Sequence, residues 1–170
     1  MGRKRRGKPI HGWMVIDKPG TMSSNAVVGM VRRLTGAAKV GHGGTLDPLA
    51  TGLLPLALGE ATKTVSYAMD GTKEYNFTIR WGEARASDDG EGKVTAVSPV
   101  RPSEAEINAI LDRFTGTIDQ VPPVYSAVKV GGRRAYALAR ADAAPELQPR
   151  RVRIDRLTLI DLPDDDHARF

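Results

Sequence analysis

Gly41-His42-Gly43-Gly44-Thr45-Leu46-Asp47-Pro48-Leu49-Ala50-Thr51-Gly52-Leu53-Leu54 is a glycine-dense loop that runs directly into an apolar segment. Glycines without a Cβ let a ligand approach the backbone and allow positive φ. Pro48 biases Asp47 away from the helical region and so stiffens the chain that carries its carboxylate. A polar loop presented by apolar scaffold is a common place for function. No Gly-Lys-Ser/Thr closes the glycine run, so it is not a phosphate-binding P-loop, and no G-x-G-x-x-G leads a strand into a helix. Asp47 reads either as a reactive carboxylate or as a turn cap, because Asp-Pro beside glycine is also ordinary turn chemistry. His42 reads as a general base or a ligand contact.

Upstream of this loop, Gly12-Trp13-Met14-Val15-Ile16 predicts a strand, ended by the turn residues Asp17-Lys18-Pro19-Gly20. Ser23-Ser24-Asn25 offers N-caps for a helix with Val27, Met30, Val31 and Leu34 on one face and Gly36 as its stop. Downstream, Leu53–Leu58 predicts a second strand and Ala61–Met69 a short helix. Lys73–Trp81 alternates, with Tyr75, Phe77, Ile79 and Trp81 on one face, which is the strongest strand signal in the chain. Lys93–Val97 predicts another strand after the loop at 87–92. Ser103 with Glu106 forms a capping box for a helix bearing Ile107, Ile110, Leu111 and Phe114, closed by Gly116. Val121-Pro122-Pro123 cannot be a central strand. Residues 125–134 predict a hairpin leading into a short helix from Ala135. Arg150–Leu162 is extended, with a phase change near Arg156 that predicts a bulge or bend, and Asp164-Asp165-Asp166 a turn. This irregular interleaving, without a steady βαβ rhythm, predicts an α+β fold with a mixed, mainly antiparallel sheet and flanking helices.

The 170 residues suffice for one domain with a real core. The chain has no cysteine, which excludes disulfides, thiolate metal sites and cysteine nucleophiles. His11, His42 and His167 lack zinc-ligand spacing, so no metal is expected. Asp88 and Asp89 read as a Mg²⁺ pair of a nuclease or, more simply, as a solvated acidic loop. No apolar run approaches the ~20 residues that span a bilayer. A net charge of +5 and a pI near 9.7 make nucleic acid the first partner to consider. Residues 1–9 form a basic arm expected to be flexible, with Arg3, Lys4, Arg5, Arg6 and Lys8.

Several of these segments together resemble the bacterial tRNA pseudouridine synthase B family. Asp17-Lys18-Pro19 followed by Ser23-Ser24-Asn25 is similar to its opening motif, and residues 41–54 to its catalytic motif. Gly59-Glu60-Ala61-Thr62-Lys63, Lys73-Glu74-Tyr75 and Val121-Pro122-Pro123-Val124-Tyr125-Ser126-Ala127-Val128-Lys129 follow in the family's order. The resemblance runs from about Ile10 to Phe170.

It implies the pseudouridine synthase fold and an isomerisation. A uridine at position 55 in the T loop of tRNA becomes pseudouridine, through base flipping and without cofactor. Asp47 is implied as the catalytic carboxylate, with His42 and Tyr75 as substrate contacts. Lys18, Lys63, Lys129 and Arg133 are implied as RNA contacts, and residues 125–145 as an RNA-gripping insertion that also carries Arg134 and Arg140. Residues 10–170 then correspond to the N-terminal part of the catalytic domain. The family pattern continues past Phe170 with an arginine that pairs with the aspartate and with a C-terminal RNA-binding domain. A weak or inactive fragment is therefore expected. A cytoplasmic monomer acting on the T stem-loop without protein partner or membrane completes the expectation. Three rivals stay open: an RNA-binding module without chemistry, a guide-dependent rRNA relative sharing Thr-Leu-Asp-Pro, and the Mg²⁺ nuclease.

Overall fold

The computed structural model describes residues 7–123, 129–131, 133–134 and 147–170. Two units divide the chain, Met1–Lys73 and Glu74–Phe170. In the first, β1 (Gly12–Lys18), α1 (Ser24–Thr35), β2 (Val40–His42) and β3 (Gly52–Leu58) are followed by a 3₁₀ turn at Gly59–Lys63 and by α2 (Val65–Met69). The sheet order is β1-β3-β2, with both pairings antiparallel.

Period 2 decides which face is buried. Met14, Ile16 and Lys18 alternate inward on β1, and Leu54 and Leu56 do so on β3. Against this face lie Val27 and Val31 of α1, and the four buried residues Val27, Val31, Leu54 and Leu56 form one cluster. Burying each such side chain stabilises the unit by roughly 1.5–3 kcal/mol. Trp13, Val15 and Leu53 occupy the other face and stay exposed. Ser23 caps α1 by accepting the Ala26 N–H, and Gly36 ends it at φ 68. Pro55 sits in the central strand. Its carbonyl accepts the Gly43 N–H, and its donor-less nitrogen faces the same side just past the end of β2, where a single reciprocal ladder bond is forgone.

The second unit contains β4 (Thr78–Arg80), β5 (Glu83–Arg85), β6 (Val94–Val97), α3 (Glu104–Ile110), β7 (Gly116–Gln120), β8 (Lys129–Val130), β9 (Arg133–Arg134), β10 (Arg150–Ile154), β11 (Asp161–Asp164) and β12 (His167–Arg169). A three-stranded sheet of order β11-β12-β4 joins three separate antiparallel pairs: β5 with β6, β7 with β10, and β8 with β9. Ile107 of α3 packs on Ala168 and Phe170, ringed by Ile79, Trp81, Leu111, Leu157 and Leu159. The capping box forms as expected, with Ser103 and Glu106 each holding the other's backbone N–H. The α+β class and the mainly antiparallel pairing therefore hold, with the strands dispersed over several small sheets.

Some boundaries differ from expectation. Gly41 and His42 belong to β2, not to the loop, because three residues are too few for periodicity to reveal. A 3₁₀ turn and a short helix flanking Thr64 replace the single helix at 61–69. Residues 73–76 are not strand. The pairing with β12 runs from Arg80 to Thr78 and is continued by Phe77, which exchanges backbone bonds with Phe170. The expected bend near Arg156 is a full break at 155–160, placing β10 and β11 in different sheets. The hairpin at 129–134 is present in its backbone, while the helix expected from Ala135 lies outside the described residues.

Candidate active site

The loop from Gly43 to Thr51 leaves the end of β2 and returns as β3. Gly43 is buried at its root. A Cβ there would lie 3.3 Å from both the Ala68 Cβ and the Pro55 Cγ, so only glycine fits without displacement. Gly44 follows at φ 139, a conformation that side chains rarely adopt. Asp47 stands on the exposed part of the loop, and its carbonyl accepts the Ala50 N–H at 3.1 Å.

Both neighbours of Asp47 are tied to the scaffold. The Ser24 hydroxyl, 3% exposed, accepts the Leu46 N–H and donates to the Leu46 carbonyl, each at 2.9 Å. Leu46 also packs its side chain against the α1–β3 cluster. On the other side Lys18, fully buried at 0% exposure, donates from Nζ to Pro19 O at 2.9 Å, Met22 O at 2.7 Å and Pro48 O at 3.3 Å. This corrects the expectation of a phosphate contact at Lys18. An ammonium has three donors, all three are engaged by carbonyls, and none faces solvent.

His42 pairs with Leu56 at the end of β2, and its Nδ1 is buried without a hydrogen-bond partner among the described residues. Lys63 is 71% exposed on the 3₁₀ turn and forms an ion pair with Glu60. The Lys63 ammonium, through its hydrogen bond and its charge, holds the exposed Glu60 carboxyl below the usual range. Lys18, Ser24, His42, Asp47 and Lys63 thus all belong to the first unit. Tyr75 belongs to the second, in the irregular approach to β4, and is 62% exposed. Lys129 and Arg133 lie on the two strands of the β8–β9 hairpin, and Arg140 lies outside the described residues.

Ser24 was missed as a loop-holding residue, because a hydroxyl ahead of an apolar helical face reads as a cap. The doublet was the signal, since one cap is needed and Ser23 supplies it. In the rival nuclease site, Asp89 accepts from Ser87 Oγ at 2.5 Å and from the Glu91 N–H, which are turn contacts. Among the described residues no group of three or more His, Cys, Asp or Glu could hold a metal ion. Among those residues also, no helix is long and apolar enough to cross a membrane.

Residues 32–170 match the family model described as TruB family pseudouridylate synthase, N-terminal domain. The chain is 61% identical over 170 residues to the tRNA pseudouridine synthase B of Rhodospirillum rubrum, covering 100% of this chain and 55% of that protein. It is 60% identical over 168 residues to that of Gluconacetobacter diazotrophicus, covering 99% and 55%. Among solved structures, a chain in a Cbf5–Nop10–Gar1 complex superposes with a TM-score of 0.57 at 24% identity, covering 93% of this chain and 39% of that one. A chain in an H/ACA RNP bound to a substrate RNA containing 2′-deoxyuridine gives 0.52 at 26%, covering 78% and 41%. The chain spans about half the length of the curated relatives it matches.

Proposed function

This chain belongs to the TruB family of pseudouridylate synthases, and from that premise we propose that it isomerises uridine to pseudouridine at position 55 in the T loop of tRNA. The N1–C1′ bond breaks, the uracil turns, a C5–C1′ bond forms, and the C5 proton is lost as N1 gains one. No oxidant, hydrolysis or cofactor enters the balance. The uridine leaves its stack first, at a cost on the order of a few kcal/mol.

Asp47 is the catalytic carboxylate in this reading. Its negative charge acts at carbon, as nucleophile or against the positive charge that grows at C1′ as N1 departs. The observation that carries the proposal is an exposed Asp47 whose flanking residues are both held by buried donors. A backbone held on both sides of Asp47 narrows where its carboxylate can point, and positioning of this kind is where a barrier is lowered. Tyr75 stacks on the flipped uracil. His42 packs against the opened T loop. Lys63, Lys129 and Arg133 contact phosphates, where they set position and not sequence. Residues 10–170 form the N-terminal part of the catalytic domain, with 125–145 as the insertion that grips RNA. The Cbf5 neighbour is solved with Nop10 and Gar1. We propose that the present chain needs no such partners and works as a monomer in the cytoplasm.

The test is nucleoside analysis of a digested tRNA transcript after incubation with excess protein and no metal. Pseudouridine at position 55, absent with Asp47→Ala, is the expected result. Equal conversion by both proteins would remove Asp47 from the chemistry. RNA bound by both without conversion would favour an RNA-binding module.

A further inference from the structure

We infer that Ser24 is a positioning residue for Asp47, coupling the N-terminus of α1 to the reactive carboxylate. The inference rests on the proposed role of Asp47. Ser24 opens α1 but does not cap it, since Ser23 already takes the Ala26 N–H. Its hydroxyl is spent instead on a residue 22 positions away, accepting the Leu46 N–H and donating to the Leu46 carbonyl. One side chain thereby fixes both peptide planes flanking the Leu46 Cα. The second of these planes is the one that ends at the Asp47 nitrogen, so its orientation sets where the Asp47 Cα–Cβ bond points.

The anchor is rigid at its other end. Ser24 is 3% exposed, and one and two turns on, Val27 and Val31 are buried against Leu54 and Leu56. Among the described residues Asp47 itself has no comparable tether: it is exposed, and its backbone makes the local turn bond to the Ala50 N–H. Displacing a reacting group by about 1 Å can cost about 10²-fold in rate. Ser24→Ala is therefore expected to lower the saturating single-turnover conversion rate about 100-fold, with RNA affinity unchanged within about twofold. Ser24→Thr keeps a hydroxyl at the same place and should recover most of the rate. A residue that merely stabilised the fold would lower the melting temperature without separating rate from affinity.

The experiment measures saturating rate, half-saturating RNA concentration and melting temperature for the native chain, Ser24→Ala, Ser24→Thr and Asp47→Ala. If Asp47→Ala converts RNA as the native chain does, the catalytic reading itself fails. If Asp47→Ala is dead while Ser24→Ala turns over within threefold of native, only the Ser24 inference is overturned. Where the native chain converts too slowly to measure, amide exchange decides. The Leu46 amide should exchange about tenfold faster or more in Ser24→Ala, while the Val27 and Val31 amides keep their protection. Unchanged Leu46 exchange overturns the inference.

Discussion

Replacing Lys18 by Met separates two roles that a lysine near an RNA site can play. Met fills nearly the same volume but removes the ammonium, leaving the carbonyls of Pro19, Met22 and Pro48 without their donor. Hydrogen bonds from a charged donor contribute about 1.5–3 kcal/mol each. Their sum overstates the loss, because burying the ammonium itself costs several kcal/mol, which Met no longer incurs. The difference leaves a destabilisation of about 2–4 kcal/mol. At about 2–4 °C per kcal/mol for a chain of this size, melting should fall by about 4–16 °C. RNA binding is the discriminating assay. A lost phosphate contact lowers the slope of log affinity against log salt by about 0.7–0.9. Lys18→Met should leave that slope unchanged. Lys63→Met, at an exposed ion pair of small energetic weight, should lower it by that amount with melting almost unmoved. Near-native melting of Lys18→Met, together with a slope reduced by about 0.8, would refute the buried-clamp argument.

Three further outcomes follow from the packing. Gly43→Ala places a methyl 3.3 Å from the Ala68 Cβ and the Pro55 Cγ. It should cost about 1–2 kcal/mol by urea unfolding, and a neutral effect would mean the loop root is looser than described. Leu56→Ala removes a fully buried side chain from the α1–β3 cluster and should cost about 2–5 kcal/mol in the same assay. The Ser103 side chain and backbone hold the exposed Glu106 carboxyl below its ordinary value of 4.5. A depressed folded value means its contribution is complete above about pH 4.5 and fades as pH falls through the folded value. Carboxyl NMR should show Glu106 titrating below 4.5, and moving up toward it in Ser103→Ala. An unmoved midpoint would contradict the cause.

What the sequence revealed follows from which forces are local. The α1 caps, the capping box at Ser103 and Glu106 and the alternation through Ile79 and Trp81 are short-range, and each appears in the structure. Pairing is not local. Lys73–Asn76 alternates as well as Phe77–Trp81 does, yet only the latter finds β12. No pattern within 73–81 could show which of its residues find a partner. Lys18 was legible after all. It shares the parity of Met14 and Ile16, so the same alternation that built β1 turns it inward. The expected strand stopped at Ile16, before the turn residues around Lys18, and the RNA contact was implied by the family resemblance instead. For Ser24 the doublet marked a spare hydroxyl, but its partner Leu46 was not legible, being 22 residues away and near only when α1 packs on β3. The chemistry-bearing loop was recognisable by its residues. What holds it still was harder to read, since the Lys18 ammonium and the Ser24 hydroxyl act on backbone groups that carry no mark in side-chain identity.

The most direct test of the central claim is tritium release from C5-labelled uridine in a T stem-loop RNA, in a single turnover without metal or cofactor. Forming the C5–C1′ bond expels the C5 hydrogen, so release reports the isomerisation itself. Release by the native chain and none by Asp47→Ala is expected, with the variant still binding the RNA. Release by Asp47→Ala at the native rate would contradict it.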